Sequence, residues 1–159
     1  MRYLFFDHDE RGDEIPCADY NFELLLNICF QYSEYVSFIV EESDFARYPE
    51  LNSYTVNEER YQLLETYNKH VRYSRESVVS FFYCSEEFKK MILGISKDLW
   101  SYIHAWGFAN PEDPTFYRRD GSVFFSAIVH EGEAVLYPRK PEDISAFLDR
   151  IQWYEVNEL

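Results

Sequence analysis

The chain has 159 residues, 29 of them acidic and 15 basic, for a formal net charge of -14. Yet 19% of it is Phe, Tyr or Trp, and disordered acidic segments are poor in aromatics, so the charge must coat a body with a substantial core. Such a surface repels nucleic acid and anionic membranes and attracts cationic protein, while the length suits one domain over 1–159 that buries about two thirds of the surface its unfolded chain exposes.

Arg2–Phe6 is short, aromatic and followed by the charged DHDERGDE, which reads as a strand leaving the core for a solvated loop. The apolar run breaks into acid at Asp7, the wrong order for a signal peptide and too short for a membrane span, so a cytoplasmic protein is expected. Asp19 is placed to cap a helix over 20–32, with Phe22, Leu25, Leu26, Cys29 and Phe30 at helical spacing. Tyr35–Val40 reads as a buried strand ending in Glu41, Glu42 and Asp44. The stretches 43–49 and 51–56 show no clean period, and a second helix is expected over 57–70.

Ser77–Tyr83 has the strongest strand composition in the chain, and Ser85 then caps a helix running through Ile95. Lys97–Trp106 presents Leu99, Trp100, Ile103 and Trp106 on one side of a further helix, and Asn110–Pro114 reads as a turn-rich crossing. Strands at 115–117, 123–129 and 134–137 are separated by an Asp-Gly turn and by His130–Glu133, turns short enough to require antiparallel pairing. Pro141, Glu142 and Asp143 then open a last helix reaching Ile151, with Trp153 and Tyr154 folding back on the core. Together these elements specify an α+β fold, a mostly antiparallel sheet of five or six strands packed by four or five helices. Val36-Ser37-Phe38 and Val79-Ser80-Phe81 also repeat at an offset of 43, the trace that a duplicated strand-then-acid unit would leave.

No complete catalytic or cofactor motif is present. Asp7–Glu14 is rich in oxygen ligands but lacks the register of a calcium loop. His130-Glu131 is half of a zinc-protease signature whose second histidine is replaced by Ala134. The ring of His130 is expected to order a tight turn by bonding a carbonyl or Asp120; general acid or base work with Glu112 or Asp113 would lack a nucleophile and an oxyanion loop. Cys17, Cys29 and Cys84 have no Cys-x-x-Cys spacing and read as reduced, buried thiols. Five scattered glycines form no phosphate cradle, and the basic pairs Lys89-Lys90, Arg118-Arg119 and Arg139-Lys140 read as internal salt-bridge partners. Trp100, Tyr102, Trp106 and Phe108 suit either core or an interface. No metal, cofactor, nucleic-acid or membrane partner is expected.

The stretch Pro111–Tyr137, PEDPTFYRRDGSVFFSAIVHEGEAVLY, resembles the immunity proteins that bacteria encode beside polymorphic or contact-dependent toxins. The resemblance covers about a sixth of the chain and carries no binding residues with it. It implies a non-enzymatic role, occluding the active site or substrate groove of a basic toxin domain such as a nuclease. Residues 1–70 hold 15 acids and 5 bases, against 14 and 10 in 71–159, so the contacts expected are Asp7, Asp9, Glu10, Asp13, Glu14, Glu41, Glu42 and Asp44. The alternatives are a small acidic adaptor for a cellular protein and a hydrolase using His130.

Overall fold

The computed structural model describes residues 1–56, 78–100 and 112–157. Seven strands, β1 (Arg2–Phe6), β2 (Tyr35–Val40), β3 (Val78–Tyr83), β4 (Glu112–Tyr117), β5 (Val123–Ile128), β6 (Glu133–Leu136) and β7 (Tyr154–Val156), form one sheet in the order β3-β2-β4-β5-β6-β1-β7. Every neighbouring pair is antiparallel. The helices are α1 (Tyr20–Tyr32), α2 (Glu42–Arg47), α3 (Leu51–Tyr54), α4 (Glu86–Ile95) and α5 (Ser145–Leu148). The α+β class and the antiparallel sheet agree with the sequence reading. Among the described residues, none of the helices is long and apolar enough to cross a membrane.

The main core lies between α1, α4 and α5 and one face of the sheet. Phe22, Leu25, Leu26 and Cys29 of α1 bury the stripe their spacing prescribes, against Phe5, Val36, Phe82, Phe116 and Phe125 from the strands. Phe88 of α4 anchors the other side, with ring centroids 5.0 Å from Phe82 and 5.3 Å from Tyr54. Burial of each such ring stabilises the fold by about 1.5–3 kcal/mol, and the ring pairs add about 0.5–1.5 kcal/mol. Alternation along the strands puts Tyr35, Tyr117, Phe81 and Val123 on the opposite face, in a second cluster with Val56. Polar groups are buried there as a ladder: Thr115 Oγ1 lies 2.9 Å from Ser126 Oγ, and Ser37 Oγ 3.4 Å from the Tyr117 hydroxyl. Burial, outweighing the Ser37 and Thr115 hydrogen bonds, pushes the Tyr117 phenol up to about 12.

Ser85 caps α4 as expected, its hydroxyl accepting from Phe88 N–H. Asp19 occupies the N-cap position of α1 at a φ of 50° without a side-chain capping bond. Instead its N–H donates to Lys97 O, and Leu99 N–H to Cys17 O, so 17–19 and 97–99 run alongside each other and Lys97–Leu99 forms no helix. The rest of that expected helix, and the one over 57–70, fall outside the described residues. The aperiodic 43–56 contains two short helices, α2 and α3.

Asn110–Pro114 is not simply a crossing, because β4 starts at Glu112 and includes Pro114. A central strand tolerates this proline because the β2 register shifts between Ser37 and Ile39, where Asp113 takes a φ of 52°. The resulting bulge removes the need for the missing proline N–H. The 43-residue echo does not extend to the packing: Val36 pairs with Phe82 and Ser37 with Phe81, so Phe38 and Phe81 point to opposite faces of the sheet.

The last helix is cut to α5, and the cause is Arg118, 7% exposed. Its Nε and Nη2 grip both oxygens of Glu142 at 2.6 and 2.5 Å, Nη1 donates to Ser122 Oγ and Val123 O, and Nη2 also donates to Tyr137 O. Glu142 Oε2 accepts from Arg139 N–H as well, which holds 139–142 as a turn where the sequence favours a helical start. Burial works to raise the pKa of Glu142, but the Arg118 and Arg139 hydrogen bonds and charges prevail and lower it. The lowered pKa makes this pair stabilising above the ordinary carboxylate range, and that stability is lost as pH falls through the Glu142 pKa. Arg118→Ala should destabilise the protein by about 3–5 kcal/mol in urea unfolding, because it strands a buried carboxylate. Glu142→Gln should flatten the loss of stability that the wild type shows below about pH 4.5.

Candidate functional site

Antiparallel pairing brings alternate connections to the same end of a sheet. Here Phe6 pairs with Glu133, Ile128 with Glu133, Ile39 with Glu112 and Val40 with Val78. The loop Asp7–Glu14, the segment Glu41–Asp44 and the turn His130–Glu133 therefore share one end. The opposite end carries Arg2, Arg118, Arg119, Arg139 and Lys140. Three of these bases have acidic partners: Arg118 with Glu142, Arg119 with Glu34 at 3.7 Å and Arg139 with Asp120 at 2.8 Å, while Arg2 lies over the Tyr137 ring. Lys89 pairs with Glu86 on α4. At the acidic end, the ion pairs found among the described residues are made by histidine: His8 with Asp7 at 2.9 Å, and His130 with Asp113 at 3.6 Å and Glu131 at 4.0 Å.

The acidic loop is a built hairpin. Asp9 N–H donates to Asp13 O, Gly12 N–H to Asp9 O and Ile15 N–H to Asp7 O, with Gly12 at a φ of 82°. Asp9 Oδ1 accepts from the N–H groups of Arg11 and Asp13, an Asx-type lock. Two ties fix the loop to the body: Asp7 N–H donates to Gly132 O at 2.9 Å, and Trp100 Nε1 to Ile15 O at 3.3 Å. Gly132 is left-handed (φ 65°) and buried, with the Asp7 carboxylate where a β-carbon would stand. The hydrogen bond to Asp7 raises the His8 pKa, desolvation lowers it, and the charges of Asp7, Glu14 and Asp9 raise it further, for a net rise.

These contacts divide the expected residues by role. Asp7 and Asp9 hold the loop together, while Glu10, Asp13 and Glu14 are exposed and their carboxylates make no hydrogen bond or ion pair among the described residues. Glu42 is exposed and Glu41 half-buried at the N-cap of α2. Asp44, expected at the surface, is only 1% exposed; Oδ2 accepts from Glu41 N–H, and burial raises its pKa against that bond. It is a helix-capping group, and a partner cannot reach it. Sequence reasoning missed Glu131 and Glu133, which the β5–β6 turn adds to the same rim, and the half-buried Asp98, which the 17–19 pairing brings beside Asp19 and Glu14. Burial raises the Asp98 pKa, the Trp100 N–H bond opposes this, and the two neighbouring acids reinforce it.

His130 stands in a 3₁₀ turn over Val129–Glu131. Its neighbouring carboxylate is Asp113, not Asp120, which lies at the opposite end of the sheet. Asp113 is buried, and Oδ1 accepts from Val129 N–H at 2.7 Å, so this carboxylate pins the turn to β4. The three cysteines are free, with Cys17 and Cys29 buried and Cys84 partly so. Burial raises all three thiol pKa values, which suppresses the reactive thiolate. Among the described residues, no cluster of His, Cys, Asp and Glu could hold a metal ion.

Compared with known proteins, the chain matches no family model, no curated protein and no solved structure. The site is thus defined by its own geometry: exposed carboxylates from several separate segments, mounted on a sheet end and two tied loops. Gly132→Ala should be destabilising by more than 1 kcal/mol or so, because a left-handed φ and the Asp7 carboxylate both oppose a β-carbon. Limited proteolysis of the variant should show earlier cleavage within 8–14 than in the wild type.

Proposed function

We propose that the protein binds a cationic protein partner through the acidic end of its sheet, and that it does so as an immunity protein, occluding a basic toxin domain such as a nuclease. The observation that carries this reading is the segregation of charge. At one end Arg118, Arg119 and Arg139 are paired with acids, while Glu10, Asp13, Glu14, Glu42 and Glu131 stand exposed at the other. A carboxylate rim on ordered loops loses little entropy on docking, and its field raises association rates with a basic surface by about ten to a thousandfold at low salt. An inhibitor that must reach its toxin before damage occurs gains most from that rate. The resemblance of Pro111–Tyr137 to immunity proteins points the same way, since the β4–β5 and β5–β6 connections in that stretch supply the paired Arg118 and Arg119 and part of the acidic rim.

A hydrolase using His130 is the second reading, favoured by the proximity of buried Asp113 to the imidazole. It requires His130→Ala to abolish turnover in a folded protein, whereas docking requires only a modest change in affinity. Co-expression with a candidate basic toxin, scored as cell survival, tests the immunity reading. A combined Glu10→Lys, Asp13→Lys and Glu42→Lys variant should slow association by about tenfold or more while its unfolding midpoint stays near that of the wild type. An association rate that ignores both these reversals and the salt concentration would overturn electrostatic capture.

A further inference from the structure

Both described histidines lie at the acidic end, and each has a carboxylate beside it. His8 Nδ1 is 2.9 Å from Asp7 Oδ1, with the imidazole 48% exposed. His130 Nδ1 is 3.6 Å from Asp113 Oδ2 and its Nε2 4.0 Å from Glu131 Oε1, with the imidazole 38% exposed. The two loops are tied to each other by the bond from Asp7 N–H to Gly132 O. Around His8 the charged groups are Asp7, Asp9 and Glu14 of its own loop, and the adjoining turn brings Glu131 and Glu133. His130 faces Asp113 from β4 and Glu131 from its own turn. No lysine or arginine occurs in 129–133, and Arg11 sits exposed at the tip of the hairpin.

We propose that His8 makes docking at this end sensitive to protons, so that a cationic partner is held near neutral pH and released on acidification. This rests on the docking reading above and adds its regulation. With a neutral imidazole, the rim keeps its full negative charge and its carboxylates accept the partner's ammonium or guanidinium groups. Once protonated, the His8 imidazole becomes the counter-ion of Asp7 and its neighbouring acids and opposes an incoming cation. Linkage sets the sign: a bound cation disfavours the protonated imidazole, so binding expels protons, and affinity falls as pH falls through the imidazole range. Burial also raises the pKa of Asp44 and Asp98 at this end, and substitution of the histidine separates their contribution from that of the imidazole. The hydrogen bond to Asp7 raises the His8 pKa.

The test is binding of a fluorescently labelled short lysine homopolymer to the full chain, measured by anisotropy at low salt near about pH 8 and about pH 5.5. Binding should be weaker at the lower pH, by about tenfold where the polymer depresses the His8 pKa by about one unit. A His8→Gln variant should bind as the wild type does at the higher pH and lose most of the pH dependence. His70→Gln, His104→Gln, which alters two other histidines of the chain, should retain it. An NMR titration of the His8 imidazole should show its pKa falling when the polymer is added. Retention of the full pH dependence by the first variant overturns the proposal, as does wild-type binding that is salt-sensitive but equal at both pH values. Absence of salt-sensitive binding at either pH instead removes the docking reading, and this proposal with it.

Discussion

Arg118 governs more of this molecule than any other single side chain. Its guanidinium has five N–H donors, and all five are engaged: two on Glu142, one on Ser122 Oγ, and one each on the carbonyls of Val123 and Tyr137. The guanidinium carbon lies over the Phe124 ring, 5.2 Å from its centroid. Only a planar, permanently charged fork could close so many contacts at once, and a lysine could not replace it. The contact fixes the β4–β5 connection to the segment after β6, and so sets how the central strands of the sheet meet the approach to α5. Because the ion pair is buried and fully bonded, its value lies less in net stability than in the high cost of breaking it.

The same knot has an electrostatic consequence far from itself. By absorbing Glu142, and with Arg139 held by Asp120 and Arg119 facing Glu34, it consumes opposite charges locally at one end of the sheet. The net charge of -14 then has to reside elsewhere. The antiparallel order determines where, since each strand that starts at the basic end delivers its exit loop to the other. Asp7–Glu14 and Glu41–Asp44 are such exits, and the β5–β6 turn lies between them. A field summed over several loops reaches farther than any one ion pair and still falls within about one Debye length in physiological salt.

Much of this was legible in the sequence, for identifiable reasons. Strands β1, β2, β3 and β5 were written in aromatic and β-branched runs bounded by charge, and α1 and α4 in clean apolar stripes, so local pattern and tertiary role coincided. The reading failed where a long-range contact overruled local preference. Pro141, Glu142 and Asp143 are a good helix start, yet Glu142 is claimed by Arg118, 24 residues earlier, and Asp143 bonds Ser145 N–H and Oγ to delay the helix. Pro114 reads as a strand breaker, but the opposing register shift makes room for it. Periodicity could not foresee either, because both depend on a partner remote in the chain.

The candidate site shows a related limit. A run of acids in a sequence looks uniform, but the fold assigns its members different work. Asp9 bonds two backbone N–H groups, Asp44 caps a buried helix start and Asp113 pins the β5–β6 turn. Each is a short side chain: Asp9 and Asp44 bond backbone within four residues, as Asp does more readily than Glu, whereas Asp113 reaches Val129, 16 residues on. The exposed rim is accordingly weighted toward glutamate: Glu10, Glu14, Glu42 and Glu131, with Asp13 the aspartate among them. Side-chain length favours the separation without enforcing it, since Glu41 at the N-cap of α2 and Glu142 beside Arg139 also accept backbone N–H bonds. Aspartates shape the platform, and glutamates supply most of the charge that a basic surface would meet.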